Sequence, residues 1–380
     1  MILGVWGVLT LPGLCIWAII ALLPWRPWSI RETLDANTGA MTGGDLSRIT
    51  VLVPARNEAD VIKHTLRGLA AQGKGLKIIL INDQSTDQTV AIAHKANLTG
   101  LKIVHGQPLP EGWIGKLWAL EQGRKEITTE LVLLLDADIR LLPGVLHALL
   151  QKLDHDHLDL VSLMALLNMQ GLWGKLLMPA FIFFFKLLYP FCLSNAPEHR
   201  VATAAGGCIL VKKSLLDRIG AFRSLGSALI DDCALARKVK DSGGRTWIGL
   251  THSALSLRPY HNLMSIWAMV ARSAYAQLHY SLALLFLCTA LMTAAFLLPL
   301  AAALFLEPVA IATVSLMYLC YLPTLRYYGI HPLWGCLMPV IGMFYLFMTW
   351  SSAWRHLGMR GTLWKGRSYA MTAGKDCNFQ

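Results

Sequence analysis

Charged residues are scarce in this sequence. They make up 15% of its 380 residues, whereas soluble domains carry about 25%. Hydrophobic residues reach 55%, and the mean hydropathy is +0.48. This balance argues against a wholly soluble protein. We expect several membrane segments, with enough chain left over for one domain of substantial size.

Acidic residues are fewer than basic ones, at 23 against 34, which gives a formal net charge of +11. No zinc finger or basic helix accompanies this excess, so the sequence predicts no nucleic-acid partner. Lysine and arginine that flank membrane segments, near anionic headgroups, explain most of it. The lipid bilayer is therefore the expected partner, with some basic residues available for a nucleotide diphosphate.

Sequence motifs for disulfide or zinc chemistry are also absent. The eight cysteines contain no CxxC pair, and the twelve histidines form no HExxH pattern. Scattered cysteines of this kind are typical of buried free thiols in a reducing compartment. The sequence therefore predicts neither a disulfide framework nor a zinc site.

Long apolar runs lie at both ends of the chain. The first, residues 2–24, is long enough to cross a bilayer. We interpret it as a retained helix rather than a signal peptide, because no basic residue precedes it and Trp25 and Arg26 follow it. The domain prediction is an N-terminal transmembrane helix over 1–28, a linker over 29–48, a catalytic domain over 49–280 with interfacial helices at 172–193 and 262–280, transmembrane or re-entrant helices over 281–352, and a basic tail over 353–380.

The positive-inside rule predicts the orientation. The tail carries Arg355, Arg360, Lys365, Arg367 and Lys375, so we expect it in the cytoplasm together with the catalytic domain. Three complete spans after a cytoplasmic domain would place that tail outside. We therefore expect one of the three C-terminal apolar segments to be re-entrant or to lie on the surface.

Apolar strands alternate with helices between residues 49 and 165. Strands are predicted over 49–54, 77–82, 101–104, 131–135 and 158–164, and helices over 58–71, 87–97 and 116–125. A further strand over 207–212 and a helix over 229–241 complete the domain. This order is typical of a mostly parallel sheet with helices on both faces. Ligands of such sheets bind beyond the carboxyl ends of the strands.

Asp136-Ala137-Asp138 directly follows the fully apolar strand 131–135. Two carboxylates at this spacing can approach a hard divalent cation that bridges phosphate groups. The alternative is a simple turn or helix cap, but the position after several strand–helix units favours the metal. The sequence therefore predicts a Mg²⁺ or Mn²⁺ site at Asp136 and Asp138.

Polar residues also follow the first two strands. Pro54-Ala55-Arg56-Asn57-Glu58 opens a helix, where backbone N–H groups favour anions, although Asn57 alone would also be a good helix cap.

Asp83 ends the second strand, where its carboxylate can accept a hydrogen bond from a base edge. For the neighbouring Ser85 and Asp87 we favour a structural role as helix caps.

Two further helix starts carry candidate residues. Gly115-Lys116 begins one helix, and Lys116 can reach a phosphate or stay solvated. Asp231-Asp232 begins another, where acids favour the helix dipole but can also act as a general base towards an acceptor hydroxyl.

Taken together, these motifs resemble the family 2 glycosyltransferases with the GT-A fold, an α/β fold with a Rossmann-like, mostly parallel sheet. The resemblance covers roughly residues 49–280. It implies that Pro54, Ala55, Glu58 and Asp83 bind the nucleoside, with Arg56 beside them, that Asp136 and Asp138 bind the metal and the diphosphate, and that Asp232 next to Asp231 is the base of an inverting hexosyltransferase.

One motif of the processive and ceramide-type relatives, QxxRW, is missing. The comparable stretch contains Arg272 without the glutamine and the tryptophan. Arg272 either binds the diphosphate or extends from an interfacial helix towards the headgroups. The missing residues argue against a processive polymer synthase.

The runs 112–120, 204–210 and 228–237 resemble those of the hopene-associated glycosyltransferase HpnB group. The resemblance extends over nearly the whole chain. This resemblance implies a bacterial inner-membrane protein and a lipid acceptor related to hopanoids, with Gly206 and Gly207 on the acceptor side. The tail motif Trp364–Tyr369 either folds back to the site or binds headgroups.

We therefore expect a membrane-bound, metal-dependent glycosyltransferase that uses a nucleotide-sugar, by resemblance a UDP-sugar. A nucleotidyltransferase is disfavoured, because the first loop has no glycine. A catalytically inactive lipid-binding or transport-assisting membrane protein is the remaining alternative.

Overall fold

The computed structural model describes residues 5–36, 44–225, 231–260, 262–358, 362–364 and 367–369, and its description of Asp231 and of the last two ranges is limited to the backbone. In chain order the strands are β1 Ile49–Ala55, β2 Lys77–Asn82, β3 Leu101–His105, β4 Leu131–Leu135, β5 Ile139–Leu141, β6 Leu160–Leu166, β7 Cys208–Lys212, β8 Thr246–Ser256, β9 Thr362–Trp364 and β10 Arg367–Tyr369. The helices are α1 Val5–Leu22, α2 Ile62–Ala70, α3 Thr89–Lys95, α4 Gly115–Arg124, α5 Val145–His155, α6 Gly171–Leu188, α7 Phe191–Asn195, α8 Lys213–Arg218, α9 Asp231–Asp241, α10 Leu263–Gln277, α11 Leu282–Met292, α12 Leu298–Ala303, α13 Pro308–Tyr327 and α14 Met338–Leu357.

The chain divides into two compact units. The sheet unit comprises Arg31–Asn168 and Leu188–Pro259, and the helical unit comprises Met1–Ile30, Met169–Leu187 and Tyr260–Gln380. Each unit is therefore assembled from separate stretches of the sequence.

The sheet unit contains one mixed sheet of eight strands in the order β3-β2-β1-β4-β7-β6-β8-β5. Pairing is parallel between β1 and β2, β1 and β4, β2 and β3, and β6 and β8, and antiparallel where β7 meets β4 and β6 and where β5 meets β8. The predicted mostly parallel α/β fold is confirmed.

Apolar side chains cover both faces of this sheet. On one face, α2 and α5 contribute Leu66 and Leu149 to a core with β1 and β4. On the other, α4 and α9 pack Leu120 and Leu235 against the opposite sides of the same strands. All five residues of β4 are buried, which explains why this strand is an uninterrupted apolar run.

The strand order reverses at β1. Its register with β4 ends at Leu52 opposite Leu134, whereas its register with β2 continues to Ala55 opposite Asn82. The carboxyl ends of β1 and β4 therefore open a crevice, which is where open α/β sheets bind ligands. Pro54, which has no backbone N–H to donate, lies in this part of β1 beyond the pairing with β4.

The first residues of the predicted linker lie along β8. Thr33 bridges to Leu250, and the Asp35 carboxylate accepts hydrogen bonds from the Thr251 hydroxyl at 2.9 Å and from His252 Nδ1 at 3.0 Å. Partial burial opposes ionisation of Asp35, but the hydrogen bonds from His252 and Thr251 outweigh it and lower the pKa of this carboxyl. The rest of the linker includes residues 37–43, which lie outside the described residues.

The helical unit supplies most of the apolar helices. Among the described residues, five helical segments are long and apolar enough to cross a membrane: Val5–Leu22, Gly171–Leu188, Leu282–Ala303, Pro308–Tyr327 and Pro332–Leu357. The second coincides with the segment interpreted as interfacial, so its length permits a span as well. Most of the predicted basic tail lies outside the described residues, which include residues 353–358 at the end of α14 and the short antiparallel pair β9 and β10.

Candidate active site

The turn after β4 carries Asp136 and Asp138. Asp136 Oδ1 lies 2.8 Å from Lys116 Nζ at the start of α4, and Asp138 Oδ2 lies 2.8 Å from Arg258 Nε just beyond β8. Asp138 is almost fully buried, so its charge depends on this partner. Each carboxylate of the predicted metal site is thus paired with a cation.

The backbone fixes this turn from two sides. The Asp136 N–H donates to the Gly207 carbonyl at 3.1 Å, and the Leu257 N–H donates to the Asp138 carbonyl at 2.7 Å. From α2, the buried Thr65 hydroxyl donates to the Ala137 carbonyl at 2.7 Å. The orientation of both carboxylates therefore depends on three separate elements of the sheet unit.

Asp232, the second residue of α9, meets this turn at Gly206. Asp232 Oδ2 accepts the Gly206 N–H at 2.7 Å, and Oδ1 accepts the Cys233 N–H at 2.8 Å. A Cβ atom at Gly206 would lie 3.1 Å from Asp232 Oδ2 and 3.2 Å from Lys116 Nζ. Gly206 therefore leaves the space in which Lys116, Asp136 and Asp232 come together.

The apolar cavity beneath these residues is small. Its volume is about 20 Å³, and Lys116, Gly206 and Asp232 line it together with apolar side chains such as Phe222 and Leu225. A cavity of this size holds about one water molecule. This cavity is therefore too small to hold a substrate.

Burial beside this charge cluster also affects Cys208, the first residue of β7. Complete burial and the neighbouring Asp136 carboxylate raise the pKa of its thiol to about 12. Cys208 is thus a neutral packing residue, as predicted. The prediction of buried thiols is wrong for Cys15, Cys192 and Cys336, which are exposed.

The loops after β1 and β2 are joined by hydrogen bonds. Arg56 Nη1 donates to the Asp83 carbonyl at 2.8 Å, and the Asp83 N–H donates to the Ala55 carbonyl at 2.8 Å. Asp83 is 1% exposed at the tip of β2, one strand away from β1. Arg56 therefore positions the loop that carries Asp83, a role that the sequence alone did not indicate.

Asn57 does not cap α2, so that alternative is wrong. The helix begins after Val61, which makes no side-chain cap, and Asn57 adopts a positive φ of 51°. Its Oδ1 instead accepts the Thr86 N–H at 2.8 Å in the second loop. Glu58 lies beside it, and its N–H donates to the Thr89 hydroxyl at 2.8 Å.

Ser85 and Asp87 have the structural roles that the sequence favoured, although neither is the N-cap of α3. The Ser85 hydroxyl accepts the Asn57 N–H at 3.1 Å, and Asp87 accepts the N–H groups of Ala59 and Thr89, each at 3.0 Å. They hold the two loops together.

Arg258 is a site residue that sequence analysis missed. It follows β8, a strand that the apolar pattern did not reveal, and it reaches the second carboxylate of the DxD motif. A basic residue just beyond the carboxyl end of a strand is the signal that could have found it.

The contacts described above do not include two of the predicted residues, Arg272 and Asp231. Arg272 lies on α10 in the helical unit, where its side chain is exposed. Asp231 begins α9, but its side chain lies outside what the structure describes, as do residues 229–230 of the predicted helix.

The described side chains include no group of three His, Cys, Asp or Glu residues arranged around a common metal position. Asp136 and Asp138 supply hard oxygen ligands, which suit Mg²⁺ or Mn²⁺. This donor set fits a cation that completes its coordination with phosphate oxygens and water, as Mg²⁺ does at many nucleotide sites.

The sequence of this region matches a known protein family. The model for "Glycosyl transferase family 2" matches residues 50–220. Over 94 residues, the chain is 33% identical to a 4,4'-diaponeurosporenoate glycosyltransferase of Staphylococcus aureus (strain MRSA252), a match that covers 25% of this chain and 24% of that protein. The chain thus matches about a quarter of the length of that curated relative.

The fold has a solved counterpart. A mannosyltransferase from Pyrobaculum calidifontis, in complex with GDP-Man and Mn²⁺, aligns with a TM-score of 0.55 at 17% identity, over 93% of this chain and 99% of that one. At this identity the likeness shows the fold alone. Residues 50–220 therefore match the model for glycosyl transferase family 2, and the sheet unit has a GT-A fold.

Proposed function

We propose that this protein is a membrane-bound glycosyltransferase that moves a sugar from a nucleotide-sugar to a lipid acceptor. The observation that carries the proposal is the meeting of Lys116, Asp136 and Asp232 at Gly206, on the ligand-binding edge of a family 2 domain. Two opposite charges and a second carboxylate at one point suit a reaction in which a diphosphate leaves and a hydroxyl loses its proton.

Asp136 and Asp138 would hold a divalent cation together with the donor diphosphate. Bound there, Mg²⁺ or Mn²⁺ would neutralise the charge of the leaving nucleoside diphosphate. Lys116 and Arg258 already pair with these carboxylates, and their N–H groups can donate hydrogen bonds to phosphate oxygens instead. The Mn²⁺ and GDP-Man bound by the Pyrobaculum enzyme support this arrangement.

The loops after β1 and β2 would bind the nucleoside. Pro54, Ala55 and Glu58 form one side, and the buried Asp83 offers an acceptor to the base from the other. Arg56 fixes the distance between the loops. The proposed donor is a UDP-sugar.

Asp232 is the proposed base, with Asp231 beside it in the sequence. Two backbone N–H groups hold the Asp232 carboxylate in one orientation. It takes the proton of the acceptor hydroxyl while that oxygen bonds to the anomeric carbon and the nucleoside diphosphate leaves with the electrons of the broken bond. This single displacement inverts the configuration of the sugar.

The proposed acceptor is a membrane lipid related to hopanoids, with Gly206 and Gly207 on its side of the site and Arg272 as a further diphosphate ligand. Five apolar helical segments support a bacterial inner-membrane location, with the catalytic domain over 49–280 in the cytoplasm. The name of the staphylococcal relative, which specifies 4,4'-diaponeurosporenoate, favours a lipid-type acceptor.

The test is turnover by the purified full chain. The protein in lipid nanodiscs is incubated with UDP- and GDP-sugars, Mg²⁺ or Mn²⁺ and bacterial lipid extract, and glycolipids are detected by mass spectrometry. Asp138→Ala and Asp232→Ala should each lower turnover at least about 100-fold, because they remove a metal ligand and the base. Asp241→Ala, an exposed acid at the other end of α9, is the matched control and should keep activity.

Full turnover by either active-site variant would show that the assigned roles are wrong. Lipid binding without turnover of any donor would favour the alternative of an inactive lipid-binding or transport-assisting protein. Comparing lipid extracts of cells with and without the gene identifies the acceptor.

A further inference from the structure

A second cavity lies in the sheet unit between α2 and β5. Its volume is about 320 Å³, and it is lined by α2, by β5 and by Pro143. This volume is at the lower end of the range for small-molecule sites. None of the residues assigned above to the donor, the base or the acceptor lines it.

One face of α2 forms a wall of this cavity. His64, Arg67, Gly68 and Ala71 recur at the spacing of neighbours on a helix surface. A Cβ atom at Gly68 would lie 2.9 Å from the Leu141 carbonyl oxygen, so the helix lies directly on β5 there. The small residues Gly68 and Ala71 leave room beside the long basic side chains.

Arg140 of β5 enters the cavity from the other wall. Its Cγ would lie 3.4 Å from a Cβ at Gly68, so the stem of Arg140 packs against α2. Three exposed basic residues, His64, Arg67 and Arg140, therefore line one cavity, and no Asp or Glu among the described residues lines it. Positive charge of this kind attracts anions.

The two arginines differ from the structural arginines of the same unit. Arg48 pairs with Glu130 and Asp154, and Arg124 pairs with Glu121 and Asp217. Within the described part of the chain, neither guanidinium of the cavity has a hydrogen bond or an ion pair. Their full set of N–H donors is available to a ligand.

We propose that this cavity binds a phosphate ester. One guanidinium group donates two parallel N–H bonds to the oxygens of a phosphate. Two arginines at one site can therefore bind several oxygens of the same phosphate. The cavity is larger than a phosphate, and Ala71, Leu141 and Pro143 give it an apolar part for an organic substituent. The same chemistry is offered by a phospholipid headgroup and by a soluble organic phosphate.

The test measures binding to the full chain in neutral detergent by calorimetry. One titrant is sn-glycerol 3-phosphate and the other is dihexanoyl phosphatidylglycerol, so the two sources are compared directly. Arg67→Gln and Arg140→Gln should each weaken binding about tenfold, because each removes charged hydrogen bonds to phosphate. Lys63→Gln is the matched control, since Lys63 lies exposed on the same helix but outside the cavity lining.

The site is supported if at least one titrant binds and if both arginine variants, but not Lys63→Gln, lose affinity as expected. The titrant that binds more tightly identifies the source of the phosphate ester. Binding should survive Asp138→Ala, which disables the donor site, so this test is independent of the proposed glycosyl transfer. The proposal is overturned if neither titrant binds, if Lys63→Gln loses as much affinity as the arginine variants, or if the Asp138→Ala protein no longer binds.

Discussion

One hydrogen bond from Thr65 supports the turn that carries Asp136 and Asp138. The Thr65 hydroxyl is fully buried and donates to the carbonyl of Ala137, which lies between the two acids of the DxD motif. Thr65 touches no proposed substrate, so it acts by positioning Asp136 and Asp138.

Thr65→Val should weaken the apparent affinity for Mg²⁺ or Mn²⁺ roughly 10- to 100-fold, as loss of a partner behind a metal ligand commonly does. Valine keeps the volume but removes the donor from the Ala137 carbonyl. The measurement is the metal dependence of sugar transfer. Thr65→Ser, which keeps the hydroxyl, should restore wild-type affinity; equal losses in both variants would contradict the role.

Some residues have a structural role that differs from the one their local sequence predicts, because they contact residues far away in the chain. Asparagine is a common helix cap, yet Asn57 accepts hydrogen bonds from Thr86, 29 positions away. Arg56 likewise binds carbonyls of the second loop. Such contacts depend on the packing of β1 beside β2, which the local sequence does not encode.

At the scale of elements, the pair of loops after β1 and β2 behaves as one structure. Asp87 is central, because it accepts N–H groups from Ala59 in the first loop and Thr89 in its own, together with the Thr89 hydroxyl. Partial burial opposes its ionisation, but the hydrogen bonds from Thr89 and Ala59 outweigh it and lower the pKa of Asp87 below 3.8.

A lowered folded pKa means that this contribution to stability is complete above pH 3.8 and is lost as the pH falls through the folded value. Asp87→Ala should therefore lower the melting temperature by about 2 °C near neutral pH, a modest effect for an exposed group. The difference from wild type should shrink below pH 3.8. Differential scanning fluorimetry across pH measures it.

The control is Asp60→Ala, because Asp60 is exposed in the first loop, next to Ala59, and makes no side-chain hydrogen bond within the described residues. It should leave the melting temperature unchanged. A constant difference between Asp87→Ala and wild type from pH 7 to pH 3 would contradict the argument.

Element prediction from the sequence succeeded where burial is complete. β2 and β4 have the predicted bounds, because β4 is a fully buried apolar run and β2 has four buried apolar residues between Lys77 and Asn82. β5 and β8 were missed. β5 has three residues with Arg140 in the middle, and β8 buries polar residues such as Thr246 and Ser253 whose partners lie far away in the chain.

This gap also explains the part of the site that was missed. The donor and base residues follow strands or begin helices that the pattern located, so their meeting could be predicted. Arg258 depends on the path of β8, and it could not be placed without that strand.

At the scale of the molecule, the two units are interleaved along the chain. The segment Met169–Leu187 belongs to the helical unit but interrupts the sheet unit between β6 and α7. Most of it is α6, one of the five segments long and apolar enough to cross a membrane. The sheet unit thus cannot be separated as one continuous piece.

A chain trimmed to residues 31–259 should therefore remain with the membrane, although it lacks four of the five apolar segments. The measurement is the distribution of the trimmed chain between pellet and supernatant after alkaline carbonate extraction. A companion chain with Phe181, Ile182, Phe183 and Phe184 changed to serine should move to the supernatant if folded or to aggregates if not. Recovery of the unsubstituted piece as a soluble monomer would contradict this expectation.

The place of β7 in the sheet has a consequence for biosynthesis. β7 lies between β4 and β6 but follows both in the chain, after α6. Gly206 and Gly207 immediately precede it, and Asp232 comes later still. During synthesis the apolar helix α6 therefore leaves the ribosome before β7 can pair with β4 and β6. The cluster of Lys116, Asp136 and Asp232 can therefore form only after α6 has left the ribosome.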